Sequence, residues 1–268
     1  MRRTGIPGIG MVSGLTSGGG AATMGGTPAC GLLGTLIAYW PGNEAAGNLL
    51  DAHTNGLDLA DVNTVTNAAG HVYLLARQYT VASVEYHWRA SEALLQLGDI
   101  DLTLAAWVYL DSKGAHRSIV SKYFAGPNAR TMWLFYNNTT DRFDFHLRLV
   151  GDAATAVVTA NNLGSPALST WYFIVAWHDS VANTINIQVD NGVVDSAATG
   201  LSLLAAKTSP WNVGAYGGAG GGSSSQWNGR IGPTAFWKSA AGGGGALTQA
   251  QRDCLWNAGA GLQYVNFT

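Results

Sequence analysis

The chain has 268 residues, enough for one large β domain to bury an apolar core unaided. Its net charge is −2 and only 11% of its residues are charged, so the clustered Lys and Arg of a phosphate-backbone binder are missing and nucleic acid is not an expected partner. No stretch approaches the roughly 18 consecutive apolar residues of a membrane-spanning helix, and a weakly charged surface with 36 glycines suits an extracellular or particle-bound β protein.

Residues 1–31 read as a Gly/Ser/Thr/Ala arm that cannot bury enough apolar surface alone to offset its conformational entropy. A neighbouring subunit is the expected partner that orders it, through Arg2, Arg3, Ile6, Ile9, Met11 and Leu15; packing on its own domain is the alternative. Thr4 to Gly26 is broken by Gly and Pro, so a secretory signal is not expected there. The body, residues 32–268, opens with a strand in Gly34–Pro41 and a turn over Asp51–Gly56. Leu102–Leu110 alternates two apolar sets and reads as a central strand covered on both faces. Strands follow at Ser118–Tyr123, Thr131–Tyr136 and Arg142–Val150, the last with Phe143, Phe145 and Leu147 on one face and Asp144, His146 and Arg148 on a solvated one. A hairpin through Asn137–Asp141 joins the last two. Thr170–Asp179 and Asn183–Val194 come next, with Asn191-Gly192 as the hairpin signal. Pro210–Ala215, a glycine-rich loop at 217–222 and Trp227–Lys238 close the series. Thr248 and Gln251 form a capping box for a C-terminal helix that Gly259 is placed to end.

These phrases, in this order over about residues 34–264, resemble the laminin G-like jelly-roll domains of the concanavalin A-like lectin/glucanase group. The resemblance implies an all-β fold: a two-sheet antiparallel jelly-roll sandwich with a short C-terminal helix, here with an extended N-terminal arm. Many such relatives hold Ca²⁺ near the first turn, which points to Glu44, Asp51 and Asn55 as oxygen donors. The acidic residue common after Gly-x-Ile is replaced by Gly232-Pro233, which weakens that expectation. Jelly-roll termini often lie close together, so Cys30 and Cys254 are open to a disulfide or to two isolated thiols.

Catalytic signatures are missing. The only glutamates are Glu44, Glu85 and Glu92, none one strand-residue from an Asp, so the paired carboxylates of a retaining glucanase are absent. Asp99–Asp101 and Asp141–Asp144 suit turn roles. No Gly-x-Ser-x-Gly or His-x-x-x-His spacing occurs, and His87 and His178 read as strand-end histidines bonded to backbone. Trp40, Trp107, Trp171, Trp177 and Trp237 belong to predicted strands and the core, leaving Trp88, Trp211, Tyr216 and Trp227 as candidate glycan-binding residues. The leading expectation is a non-enzymatic structural protein, laced by its arm into a repeated assembly such as a phage-like virion, as a homo-oligomer or with other subunits. The alternative is a carbohydrate-binding or adhesion module recognising surface glycans. Both place the protein on a virion or extracellular surface.

Overall fold

The computed structural model describes residues 30–123, 130–149, 154–199, 209–218 and 221–268. The strands run β1 Leu36–Trp40, β2 Ala60–Val62, β3 Thr66–Ala69, β4 Leu75–Tyr79, β5 Tyr86–Arg89, β6 Asp101–Leu110, β7 Arg117–Tyr123 and β8 Arg130–Asn137. They continue with β9 Arg142–Arg148, β10 Thr155–Thr159, β11 Trp171–Asp179, β12 Thr184–Val189, β13 Asp195–Ala198, β14 Trp211–Val213, β15 Tyr216–Gly218, β16 Gly221–Ser224 and β17 Gly229–Ser239; one helix, α1, spans Gln249–Trp256. All ladders are antiparallel. One sheet has the order β13-β12-β11-β6-β17-β4-β3 with β1 also paired to β17, and the other has the order β10-β9-β8-β7-β14-β5-β2. Between them lies the main core, including Trp40, Leu104, Val108, Leu134, Phe143, Phe145, Ile174, Ile187, Trp211 and Phe236. This is the expected jelly-roll sandwich.

β6 is the central strand that its sequence implies, flanked by β11 and β17 and buried along nearly its whole length. The replaced family position has a structural consequence. Pro233 has no N–H to give a ladder, and the pairing of β17 with β6 slips between Ile231 and Thr234. That irregularity divides the other edge of β17 between two partners, β4 along 229–231 and β1 along 234–237.

The outer face of the eight-stranded sheet carries a second apolar cluster, in which Trp107, Phe173, Val175 and Trp237 pack with Leu255, Leu262 and Phe267 of the C-terminal segment and with Leu32. The two ends of the domain are knit together there. Cys30 N–H donates to Thr268 O at 3.0 Å, Trp237 Nε1 donates to Leu32 O at 2.7 Å, and Cys30 and Cys254 form a disulfide with a Cα separation of 6.1 Å. Cys30 and Gly31 therefore sit with the sandwich, while Arg2, Arg3, Ile6, Ile9, Met11 and Leu15 lie outside the described residues.

Several local expectations shift by a residue or more. The reversal after β12 centres on Asp190 and Asn191, both with positive φ (50° and 54°), and Gly192 N–H closes it onto Val189 O at 2.9 Å. The tight turn thus uses Asp-Asn one residue before the Asn-Gly pair, since both side chains tolerate left-handed backbone. The capping box of Thr248 and Gln251 is present, but α1 ends at Asn257, left-handed at φ 48°, two residues before Gly259. β2 to β4 are short, lack alternation and have no signal in the sequence reading, and of β5 only His87 beside Trp88 reads as strand.

The glycine-rich run after β14 is a two-stranded ribbon, β15 with β16, and not simply a loop. Gly217 explains one requirement for glycine there: a Cβ at this position would stand 2.3 Å from Tyr123 O and 2.8 Å from Asn212 Nδ2. The ribbon lies directly on the outer face of the seven-stranded sheet. Gly217→Ala is expected to lift it and to cost about 1–3 kcal/mol, measured by urea unfolding; a loss under about 0.5 kcal/mol, the scale of an unremarkable surface substitution, would contradict this close approach.

Candidate binding cleft

Strand register generates the site. Met132, Leu134 and Tyr136 of β8 enter the core, so by strand alternation Thr131, Trp133 and Phe135 face outward. Antiparallel pairing then aligns a row across the outer face: Trp88 opposite Asn212, Asn212 opposite Ser121, Ser121 opposite Trp133, Trp133 opposite His146, and His146 opposite Val157. In the adjoining row Met132 pairs with Leu147, which sets Thr131 opposite Arg148, and Arg148 pairs with Thr155.

Where these two rows meet the ribbon, a cleft of about 210 Å³ opens. Its apolar wall comes from Tyr123, Met132, Trp133 and Tyr216, and its polar groups from Thr131, His146, Arg148 and Thr155. The aromatic rings form a continuous pile. Tyr216 lies 3.7 Å from Tyr123 and 4.1 Å from Trp133 between ring centroids, and Trp133 stacks on Phe135 at 3.5 Å and 6°. His146 meets Phe135 edge-on at 4.8 Å. Trp133 is oriented by its Nε1–H, which donates to Ser118 Oγ at 3.0 Å, and that hydroxyl donates in turn to Ala215 O at 2.9 Å. The guanidinium of Arg148 donates to Thr155 Oγ1 at 2.5 Å.

Among the described residues Thr131 Oγ1 has no hydrogen-bond partner although Thr131 is only 3% exposed, and His146 Nε2 has only the Asp144 carboxylate near it. A buried hydroxyl left unpaired costs about 1–3 kcal/mol, and a bound ligand would supply the missing bond. Among the described residues the lining includes no carboxylate. The strand face expected to be solvated is only partly so: Asp144 is buried, accepting from Asn137 Nδ2 at 2.6 Å, with its Oδ2 3.4 Å from His146 Nε2.

Of the four aromatic residues singled out from sequence, the structure brings Tyr216 into the cleft and leaves Trp88 half-buried on the same sheet face, three strands away from the row's Trp133. Trp211 and Trp227 are both 0% exposed and cannot meet a glycan. Trp211 lies in the row that points inward, opposite Lys122, and packs on Trp40 and Phe236. Lys122, buried beside it and near Lys238, has its pKa pushed down to about 8, and its Nζ donates to Ser209 O at 2.6 Å. Trp227 is held by its Nε1–H, which is shared between Tyr109 O and Arg230 O at 3.2 Å each.

Glu44, Asp51 and Asn55 do not fit a calcium site. Asp51 spends both carboxylate oxygens on backbone, with Oδ1 accepting from Tyr39 N and His53 N and Oδ2 from Leu57 N, so it organises the turn after β1. Asn55 Nδ2 donates to Ile37 O and Glu44 Oε1 accepts from Leu50 N, each at 2.8 Å. Among the described residues no three His, Cys, Asp or Glu side chains gather as metal ligands. Of the carboxylates given turn roles, Asp101 accepts from Ser180 and Gly242 and Asp141 from Tyr136, Ser165 and Lys113, whereas Asp144 lies within β9. His178 bonds Ile100 O at 2.7 Å and His87 bonds Gly47 O at 3.1 Å, matching the backbone-bonded reading.

The cleft residues other than Tyr216 were missed. β8 is apolar on both faces and conceals which aromatics point outward. The signal was next door: the alternation of β9 marks His146 and Arg148 as its outer side, and the 137–141 hairpin places Trp133 against His146.

Many solved structures share the fold. The binding domain of Paraclostridial Mosquitocidal Protein 1 aligns with a TM-score of 0.64 at 11% identity over 85% of this chain and 53% of that one. This chain thus spans about half the length of that relative. Domain 4 of AbnA, a GH43 extracellular arabinanase from Geobacillus stearothermophilus in complex with arabinotriose, aligns at 0.56 and 11% over 81% and 98%. The botulinum neurotoxin serotype D ligand-binding domain in complex with N-acetylneuraminic acid aligns at 0.57 and 9% over 84% and 51%. No curated protein matches the sequence, and no helix among the described residues is long and apolar enough to cross a membrane. The laminin G-type profile described as the concanavalin A-like lectin/glucanases superfamily matches residues 86–243, more than half of the chain, and the chain belongs to that family.

Proposed function

We propose that the chain is a non-catalytic carbohydrate-binding module whose ligand lies in the cleft on the outer face of the seven-stranded sheet. The observation that carries this reading is the juxtaposition of the Tyr123–Tyr216–Trp133 pile with the unpartnered Thr131 hydroxyl. An apolar wall suits the C–H face of a pyranose, and a few fixed polar groups orient its hydroxyls. Among the described residues the lining holds no carboxylate pair of the kind that glycoside hydrolysis uses. Support also comes from the shared fold of the arabinanase domain with arabinotriose and the neurotoxin domain with N-acetylneuraminic acid. The disulfide suits an oxidising, extracellular setting. Anchoring in a repeated assembly would rest on residues 1–29, outside the described residues, so the cleft carries the functional reading and the arm does not.

A glycan array probed with the intact chain should show retention of a defined set of sugars. Trp133→Ala, with folding checked by near-UV circular dichroism, should weaken that retention at least tenfold, in line with the 1–3 kcal/mol or so that one aromatic contact contributes. A folded wild-type chain that retains no glycan, or a Trp133→Ala chain that retains them undiminished, would sink the proposal.

A further inference from the structure

We infer that the domain holds a second ligand site, separate from the cleft, for a small organic anion: a carboxylate on an apolar body, received at one end of the sandwich by Lys238 with Lys122 behind it. β5 and β6 lie in different sheets, so the connection between them crosses an end of the sandwich. A cavity of about 480 Å³ opens there, lined by Ala93, Gln96, Leu97 and Ile100 from that connection and by Lys238 and Ser239 at the close of β17.

Two lysines enter this end from opposite sheets. Lys238 follows the inward Phe236 by two residues and pairs with the inward Leu102, while Lys122 pairs with the inward Trp211 and Met132. The crossing segment engages both. Lys238 Nζ donates to Ala93 O at 3.1 Å and to Gln96 O at 2.9 Å, and Lys122 Nζ donates to Ser91 Oγ at 3.2 Å and to Ser209 O at 2.6 Å. Fastening the segment accounts for these bonds but leaves the charge unbalanced. All four acceptors are neutral, and among the described residues no carboxylate pairs with either ammonium. The only acid of the chain outside them, Asp152, falls in sequence between β9 and β10, which lie at one edge of the seven-stranded sheet.

Burial pushes the pKa of Lys238 down; burial, and then the charge of Lys238, push that of Lys122 down to about 8, with no carboxylate acting against either. An anion beside Lys238 would offset both charges, and an ammonium has three donors, of which Lys238 uses two. Lys122 is 0% exposed and acts through its field, not by contact. The walls decide the class of anion. Ala93, Leu97, Ile100 and Ala240 offer carbon, which a hydrated inorganic ion cannot use and a hydrocarbon body can.

Calorimetric titration of the intact chain at pH 7 and constant ionic strength with hexanoate, hexanamide and inorganic phosphate tests this. Hexanoate should bind saturably, about tenfold tighter than hexanamide, the scale of one charge-assisted bond, and tighter than phosphate. It should also move the amide NMR signals of Leu97 and Ile100. Lys238→Met, which keeps the length of the stem, should bring hexanoate down to the level of hexanamide, and Lys122→Met should weaken hexanoate by a smaller factor. If Lys238→Met fails to fold because the crossing segment is released, Lys238→Arg, which should keep hexanoate ahead of hexanamide, carries the test with the NMR shifts. Absence of saturable hexanoate binding, equal binding of hexanoate and hexanamide, or a preference for the acid that survives Lys238→Met would overturn the inference. Phosphate binding as tight as hexanoate would overturn the organic class, and shifts confined to Trp133 and His146 would move the acid to the cleft and overturn the site. None of these results touches the carbohydrate reading, which the glycan array decides.

Discussion

Replacing both Cys30 and Cys254 with serine is expected to lower the free energy of unfolding by about 2–5 kcal/mol, the usual range for a native disulfide. The bridge joins residues 224 apart in sequence, so in the unfolded state it closes a loop containing almost the whole domain, for which the chain-entropy argument gives about 5 kcal/mol. The native state has independent reasons to keep its ends together. Leu255, Leu262 and Phe267 lie in the outer apolar cluster, and Cys30 N–H and Leu32 N–H bond to the last two carbonyls. The reduced domain should therefore remain folded at room temperature and melt about 5–15 °C lower. Guanidinium unfolding of the double variant beside the oxidised parent measures this. A difference under about 1 kcal/mol would mean that the unfolded reference is already compact, or that the ends hold each other without the bond.

That bridge also shows where sequence reading ran out. The capping box and the residues of α1 were visible, but nothing in the chain between 30 and 254 says that α1 returns to the start of β1 across the outer face of the larger sheet. The strands that were legible, β1, β6 to β9, β11, β12, β14 and β17, have either period-2 alternation or a continuous apolar run with aromatic content. β2 to β5 have neither, because they are three to five residues long and carry polar or alanine-rich stretches such as Thr66–Ala69. Their pairing comes from long-range partners: β4 from β17, β5 from β14, β2 from β5. The cleft was legible only through register. Counting tryptophans selected Trp211 and Trp227, which the core needs, because a strand end and a loop look exposed in one dimension. The stronger criterion is which residue lies opposite a polar outer-face neighbour, and it selects Trp133 by way of His146. Tyr216 was found for a partial reason: it borders the glycine run, and the glycines allow the ribbon close enough to the sheet for its ring to reach Tyr123 and Trp133.

Acid should destabilise this domain well above the range where carboxylates are protonated, and the source is His87. Its ring is 0% exposed between the sheets, with Nδ1 2.9 Å from Tyr79 Oη and Nε2 3.1 Å from both Gly47 O and an Arg77 Nη2 nitrogen. A neutral imidazole satisfies this surrounding in either tautomer, whereas the imidazolium would bury a second positive charge against the Arg77 guanidinium. Burial, and then the charge of Arg77, push its pKa down to about 3; Asp61, 3.9 Å away, does not offset them. In the unfolded chain the same ring titrates near 6.5. Above that pH neither state is protonated and His87 has no effect on the pH dependence. Below it the unfolded state binds a proton that the folded state refuses, so stability falls by about 1.4 kcal/mol per pH unit until the folded pKa is reached. Between pH 6.5 and 4.5 the loss should be about 2 kcal/mol. Burial lowers the pKa of His178 as well and adds a loss of the same sign, while burial raises Glu85 and Asp190, which then bind protons more readily when folded and oppose it. His87→Gln separates these contributions, because glutamine keeps a donor and an acceptor but does not titrate. Urea unfolding at several pH values should give the variant lower stability at pH 7 and a slope shallower by about 1 kcal/mol per unit or more between pH 6.5 and 4.5. Parallel slopes for the two chains would show that His87 accepts its proton in the folded state, with Arg77 moving aside to allow it.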